Sequence, residues 1–455
     1  MLDDTIIALS TPLGYSGLGV VRMSGSRSLQ IAKKLFKPKN KGQKILSNHP
    51  ILGHVYDIVS KEPFEEALLT FFPKPHTYTC ENMVEISCHG SPVILEEVVR
   101  LGINAGARHA NPGEFTLRAY VNGRIDIMQA EAINDIINAS SLKQAKISFR
   151  QLDGSLSKST TYLRDNIIQL LSQIEAIIEF PDEGLSIFPK KIATTLQRTE
   201  QAVKNLISSY DLGKALSGGL FLSIIGRSNV GKSTLFNALL QKERAIVTPF
   251  PGTTRDYLQE TIKIKETLFT LTDMAGIGRP VHPAEKEGVK RGKKLASSGD
   301  GILIVLDASR KDSPEDLELL KKFQNKKALL LFNKSDLPVK MDRDKIKGQH
   351  KKMPSLSISA LKGINLDKVE EMICSHFVPA QTGSGEILLH LRQKLLFEDI
   401  LACLKKAKGM LKEGYSEEIY VEEIRKIIPL IGQLTGEIRD EDILNRIFST
   451  FCVGK

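Results

Sequence analysis

Four stretches in the middle of the chain are apolar almost without a break: LFLSIIG (220–226), LFTLTD (268–273), GILIVLD (301–307) and ALLLFNK (328–334). Runs without polar alternation mark strands buried on both faces. The helical segments between them predict a doubly wound, mostly parallel α/β sheet. Residues 1–118 have another texture. Short apolar runs such as LGVVRMSG, HVYDIVS, ALLTFFPKP and MVEISCHG are separated by Gly, Pro and Asn, which predicts the strands of an α+β domain. From about 120 the period lengthens. Leu163, Ile167, Leu170, Ile174 and Ile177 form one helical stripe that ends before Pro181. Helical patterning returns after 380 in LRQKLLFEDILACLKKAKGML and DEDILNRIFSTF. Helical segments on both sides of an α/β module predict that the module is inserted into a helical domain. The expected divisions are 1–118, 119–217, 218–379 and 380–455.

Composition narrows the class. Hydrophobic residues at 41% and charged residues at 25% fit a globular protein of several domains at 455 residues. The start, MLDDTIIALSTPLG, resembles neither a secretion signal nor a transit peptide, and no run is long enough to span a membrane. The five cysteines are scattered without a CxxC pair, so they are expected to be reduced thiols of a cytoplasmic protein. The net charge of +10 admits a polyanionic partner such as RNA without requiring one.

The chemistry lies at the ends of the predicted α/β strands. GRSNVGKST (226–234) fits the phosphate-loop pattern, placed after a strand and opening a helix. Its candidates are Asn229, Val230, Gly231, Lys232, Ser233 and Thr234. Lys232 is expected to reach the β- and γ-phosphates, and Ser233 a magnesium ion. TTRD (253–256) offers a switch threonine, and Asp273, Met274, Ala275 and Gly276 form a D-x-x-G loop. Asn333, Lys334, Ser335 and Asp336 form a guanine-reading loop, and Ser359, Ala360 and Leu361 stand where a base-supporting loop belongs. Asp336 can accept hydrogen bonds from N1–H and the exocyclic amine of guanine, a pattern adenine lacks. Four ordered motifs on strand ends predict a GTPase. Ile277 follows the D-x-x-G loop and cannot orient water as a glutamine does. Asn229 is either a turn residue or a ligand for a monovalent cation beside the phosphates.

With these motifs read, the chain resembles the MnmE (TrmE) family of tRNA-modification GTPases over nearly its whole length. The resemblance is carried by DTIIALSTPLGYSGLGVVRMSG, HTYTCENMVEISCHG, GARHANPGEFTLRAYVNGRIDIMQAEAINDII and LTGEIRDEDILNRIFSTFCVGK, besides the GTPase motifs. It implies an N-terminal domain that binds a one-carbon tetrahydrofolate (5-formyl or 5,10-methylene form) and makes a homodimer. It also implies a two-part helical domain and an inserted GTPase domain. The implied activity, with a flavin-dependent partner MnmG (GidA) in a heterotetramer, adds an aminomethyl-type group to C5 of the wobble uridine of tRNA. By the same resemblance potassium stimulates GTP hydrolysis, with Asn229, Thr248, Phe250 and Thr253 holding the ion in the loop Thr248, Pro249, Phe250, Pro251, Gly252, Thr253 and Thr254. Ser233 and Thr254 would bind magnesium, and Glu285 would orient the water. Without the resemblance Glu285 reads as an exposed helix charge.

For the folate, the resemblance points to Arg22, Glu81, Arg124 and Lys455, with Arg124 standing where many members have Lys. Cys452 is then either a nucleophile in one-carbon chemistry or a small residue packed at the site. The closing FCVGK is expected to be an anchored segment, with Phe451 continuing the stripe Ile443, Leu444, Ile447 and Phe448. Two alternatives are an RNA-binding or ribosome-assembly GTPase switch of the Era or Der type, and a folate-dependent aminomethyltransferase with a regulatory GTPase.

Overall fold

The structure, a computed structural model, describes residues 4–40, 42–180, 189–243, 259–273, 299–380, 385–438 and 441–455. Thr248, Pro249, Phe250, Pro251, Gly252, Thr253 and Thr254 lie outside the described residues, as do Met274, Ala275, Gly276, Ile277, Gly278, Glu285 and the side chain of Asp273. The chain divides into two compact units. One comprises Met1–Ile137, Ser148–Thr195 and Lys406–Lys455, the other Asn138–Ile147 and Leu196–Lys405.

The first unit contains strands β1 (Ile6–Leu9), β2 (Ser16–Ser24), β3 (Phe36–Pro38), β4 (Ile51–Tyr56), β5 (Pro63–Phe72), β6 (Met83–Gly90) and β7 (Arg108–His109). They form one sheet in the order β3-β4-β5-β6-β2-β1-β7, with antiparallel pairs except β1–β7. Alternation along β4 turns Ile51, Gly53 and Val55 inward. Helices α1 (Ser28–Leu35) and α2 (Pro92–Asn104) cover the apolar face: Ile31, Leu35, Leu95, Val98 and Leu101 join Val21, Met23, Leu69, Val84 and Ile86 in one core. Each such side chain contributes roughly 1.5–3 kcal/mol by leaving water. Short helices α3 (Glu114–Val121) and α4 (Ile127–Ile137) follow the sheet.

Of the stripe predicted from Leu163 to Ile177, Leu163, Ile167, Leu170 and Ile174 lie on the buried face of the helix Ser155–Glu179, and Ile177 is half-buried. Helices Glu417–Arg425 and Ile427–Thr435 pack on it. The last helix, Glu441–Phe448, leads to the closing segment.

In the second unit β8 (Leu220–Ile225), β9 (Gln259–Ile264), β10 (Thr267–Asp273), β11 (Gly301–Asp307), β12 (Ala328–Asn333) and β13 (Ser355–Ser357) lie in the order β13-β12-β11-β8-β10-β9. All neighbours are parallel except β9–β10. This is the doubly wound sheet that the unbroken apolar runs predict. Leu303, Val305, Leu329 and Leu331 enter the core on one face, while Ile302, Ile304, Leu306, Leu330 and Phe332 enter the other. A strand with two dry faces has no position for a polar residue until it ends, so the polar residues collect at its carboxyl end.

Candidate functional site

That end of the sheet carries a cavity of about 630 Å³, lined among others by Asn229, Gly231, Lys232, Ser233 and Thr234 from the phosphate loop. Asn333, Lys334, Asp336, Ser359 and Leu361 line it from the opposite loops. Gly231 has φ of 99°, and a Cβ there would collide with the Asn333 side-chain amide. Asn333 is buried and does not face the solvent. Its Nδ2 donates to the Val230 carbonyl at 2.8 Å, and its Oδ1 accepts from the Ala360 N–H at 2.9 Å. One side chain thus joins three loops that are far apart in sequence.

Lys334 makes a second joint, donating from Nζ to the Asn229 carbonyl at 2.8 Å. Asn229 itself has φ of 64°, a left-handed turn that asparagine tolerates better than most residues. With the carbonyls of 229 and 230 engaged in these joints, they are turned away from a phosphate. Lys232 is buried, with Nζ donating to the Arg227 carbonyl at 2.7 Å. Ser335 takes its place through its backbone N–H, which donates to Ile358 at 2.9 Å. The Asp336 carboxyl is exposed, and a hydrogen bond from Ser359 foremost holds it below the usual aspartate range. It is an anionic acceptor across the working pH range.

A second cavity, of about 600 Å³, lies in the first unit and is lined by Arg22, Tyr78, Cys80, Glu85, Asn122 and Arg124 among others. Two guanidinium groups stand over the Tyr78 ring, Arg22 at 5.6 Å and Arg124 at 4.9 Å from its centroid. Arg22 is paired with Glu85 at 2.8 Å. Glu81, the third candidate, does not line this cavity. Its Oε2 accepts from Ser24 at 2.7 Å and from Arg118 at 3.1 Å. Arg118 is 1% exposed, and it also binds Asp4 at 2.6 Å and Glu114 at 3.0 Å. The loop bearing Tyr78 is tied to α3 and the turn after it by Tyr78 to Thr116 (2.8 Å), Asn122 to the Thr79 carbonyl (2.7 Å) and Arg124 to the Tyr78 carbonyl (2.9 Å).

The closing segment packs as the sequence suggested. Phe448 and Phe451 are buried with ring centroids 5.6 Å apart. Val453 bridges to Pro112, and the Ser10 hydroxyl donates to the Gly454 carbonyl at 3.4 Å. Gly454 has φ of 98°, and a Cβ would collide with the Leu9 carbonyl. Lys455 and the exposed Cys452 border a third, mostly apolar cavity of about 580 Å³ with Leu9, Leu13, Leu95 and Val99. Burial, and next the Arg22 charge, push the Lys455 ammonium below the usual lysine range. The Arg22 charge acts on Lys455 and, with Arg124, on Tyr78, which brings three of the four candidate residues into one electrostatic neighbourhood; Glu81 stands apart, on Arg118.

Sequence reasoning missed Arg118, Tyr78 and Asp307. A signal existed for Asp307, which ends β11 as Asn333 ends β12. For Arg118 there was none, because an arginine in a helical pattern reads as solvated.

Comparison with known proteins gives two family profiles. The one described as the MnmE helical domain matches residues 127–452, and the one described as the GTP-binding protein TrmE N-terminus matches residues 5–124. A tRNA modification GTPase MnmE of Aquifex aeolicus is 38% identical over 456 residues, covering 100% of both chains. Its counterpart in Lactococcus lactis subsp. lactis is 39% identical, covering 99% of this chain and 98% of the relative. A solved Era variant from Aquifex aeolicus, bound to GDP and aluminium fluoride, is 27% identical over 40% of this chain and 67% of its own, with a TM-score of 0.29. Among the described residues no helix is long and apolar enough to cross a membrane.

Proposed function

Since this chain belongs to the MnmE family of tRNA modification GTPases, it is a GTPase of tRNA modification, and we propose that it adds an aminomethyl-type group to C5 of the wobble uridine. In this proposal it works in the cytoplasm with tRNA and the flavin-dependent partner MnmG (GidA), as a homodimer through residues 1–118, and keeps the divisions at 118, 217 and 379. The observation that carries the nucleotide half is the cavity where Lys232 and Ser233 face Asp336 and Ser359 across loops joined by Asn333. Lys232 would bind the β- and γ-phosphates, while the glycine at 231 admits the Asn333 side-chain amide that ties the loops together. Ser233, with Thr254, suits magnesium, which when bound neutralises the phosphate charge. Asn229, with Thr248, Phe250 and Thr253, would hold potassium, while Asp273 and Glu285 serve the γ-phosphate and its water.

The cavity around Tyr78 suits a folate by its donor set. Arg22 and Arg124 offer two cations for carboxylates, and the Tyr78 ring offers a stacking face. The bound folate would supply the one-carbon unit. Lys455 and Cys452 would approach it from the closing segment, and Glu81 would act through the Arg118 network.

The decisive measurement is GTP hydrolysis in potassium against sodium at equal ionic strength. A potassium-specific increase of about tenfold or more, lost in Asn229→Ala, is the expected result. Equal rates in both salts would remove the cation site from the proposal. For the folate half, Gly454→Val should displace Lys455 and Cys452, because the side chain meets the Leu9 carbonyl at a left-handed φ. Wobble-uridine modification, read by nucleoside analysis of tRNA from a complemented deletion strain, should fall to the deletion level. Hydrolysis of GTP by the purified variant should stay within about twofold, as the change lies in the other unit.

A further inference from the structure

Asp307 and Asn333 are paired residues at the ends of the parallel strands β11 and β12. The next residue along, Lys334, has φ of 63°, a left-handed conformation that costs a non-glycine residue about 1 kcal/mol or more unless its surroundings hold it. They do. Lys334 Nζ donates to Asp307 Oδ2 at 2.6 Å and to the Asn229 carbonyl at 2.8 Å. The other oxygen, Asp307 Oδ1, accepts from the Ser309 N–H at 3.0 Å and the Ser309 hydroxyl at 2.6 Å. Arg310 adds a cation, its Nε 3.6 Å from Oδ2. The Asp307 side chain is 7% exposed. Its carboxyl is oriented at both ends before any nucleotide arrives.

We infer that Asp307 is a positioning residue for guanine-nucleotide binding: it holds Lys334 on the Asn229 carbonyl, so that the base-reading loop and the phosphate loop form one cradle. The inference rests on reading 333–336 as the guanine loop. The strands need no ion pair at this place, because both sheet faces beneath it are apolar. A buried ion pair seldom adds net stability over an apolar pair. What the pair supplies is a fixed direction for a long side chain that otherwise has many rotamers. Without Asp307, Lys334 samples solvent and the Asn229 turn loses its cross-brace. Nucleotide then binds only the fraction of molecules in which the two loops are in register, and affinity falls by that fraction. GDP and GTP should suffer alike, because the contact lies away from the γ-phosphate. KM should therefore rise while kcat changes little.

The test uses the full-length protein, a fluorescent GDP analogue and steady-state GTP hydrolysis, with thermal melts to confirm folding. Asp307→Asn should weaken GDP binding and raise KM by about tenfold, with kcat within about twofold. The double variant Asp307→Asn with Lys334→Met should bind no more weakly than Lys334→Met alone, because one residue acts through the other. Affinity within about twofold of the wild type for Asp307→Asn, or multiplicative effects in the double variant, overturns the inference. If Asp307→Asn does not fold, Ser309→Ala removes only the hydroxyl that orients Asp307. It should weaken GDP by about two- to threefold, and unchanged affinity there also overturns it. A wild-type protein that binds ATP as well as GTP would instead remove the guanine-loop reading itself. A guanine-selective wild type with an unaffected Asp307→Asn removes only the positioning role.

Discussion

Asp336→Asn is expected to lower the affinity for GTP by about a hundredfold or more and to turn the preference towards xanthosine triphosphate. The carboxylate is ionised, oriented by Ser359, and placed on the same cavity as Lys232 and Ser233. Guanine presents two adjacent donors, N1–H and the exocyclic amine, and a carboxylate accepts both. An amide offers one acceptor and one donor, so the guanine amine meets an N–H and one hydrogen bond becomes a repulsion. Xanthine carries a carbonyl at that position and restores the match. Competition binding of GTP, xanthosine triphosphate and ATP to the variant reads the result directly. A variant that keeps its preference for GTP would show that Asp336 does not read the base, whatever the motif suggests.

Arg118→Met is expected to destabilise the first unit by about 3–5 kcal/mol, a large share of the stability of a domain. The guanidinium is almost wholly buried and is shared by Asp4, Glu81 and Glu114. Its removal leaves Glu114, itself 3% exposed, with Arg108 as its remaining cationic partner, at 2.6 Å. Methionine replaces the volume of the stem but none of the donors.

The loss should depend on pH in a defined sense. Burial alone would raise the carboxyls of Asp4 and Glu114, but hydrogen bonds from Arg108 and Arg118 outweigh it and hold both below their usual values. A depressed folded pKa contributes stability that is complete above the unfolded values of about 4 and is lost as the pH falls through the folded ones. Denaturant melts of wild type and variant should therefore differ most near neutral pH and converge as the pH drops below about 4. A constant gap from pH 7 to 3 would mean that the network contributes through packing alone. Because Glu81 and the Tyr78 loop hang on Arg118 and α3, the same variant should also weaken the folate binding proposed for the Tyr78 cavity.

Much of this protein was determined by its sequence. The unbroken runs at 301–307 and 328–334, alternating with helical segments, read as strands with two dry faces. The spacing of 226–234 and the order of the later motifs were enough to pick out segments that follow sheet strands and line one cavity at their carboxyl ends. The stripe of Ser155–Glu179 followed from helical period. What the tertiary structure alone decided are the joints between segments distant in sequence. Asn333 reaches Val230 and Ala360, Lys334 links Asn229 to Asp307, Arg118 gathers Asp4, Glu81 and Glu114, and the closing segment threads against Leu9 and Pro112. Periodicity records which face of an element is dry, whereas a long polar side chain acquires its meaning from the partners that packing brings within 3 Å. Arg118 carries no local sign of its partners, and Asp307 shows only that it ends a strand beside Asn333; the folded chain supplies the rest.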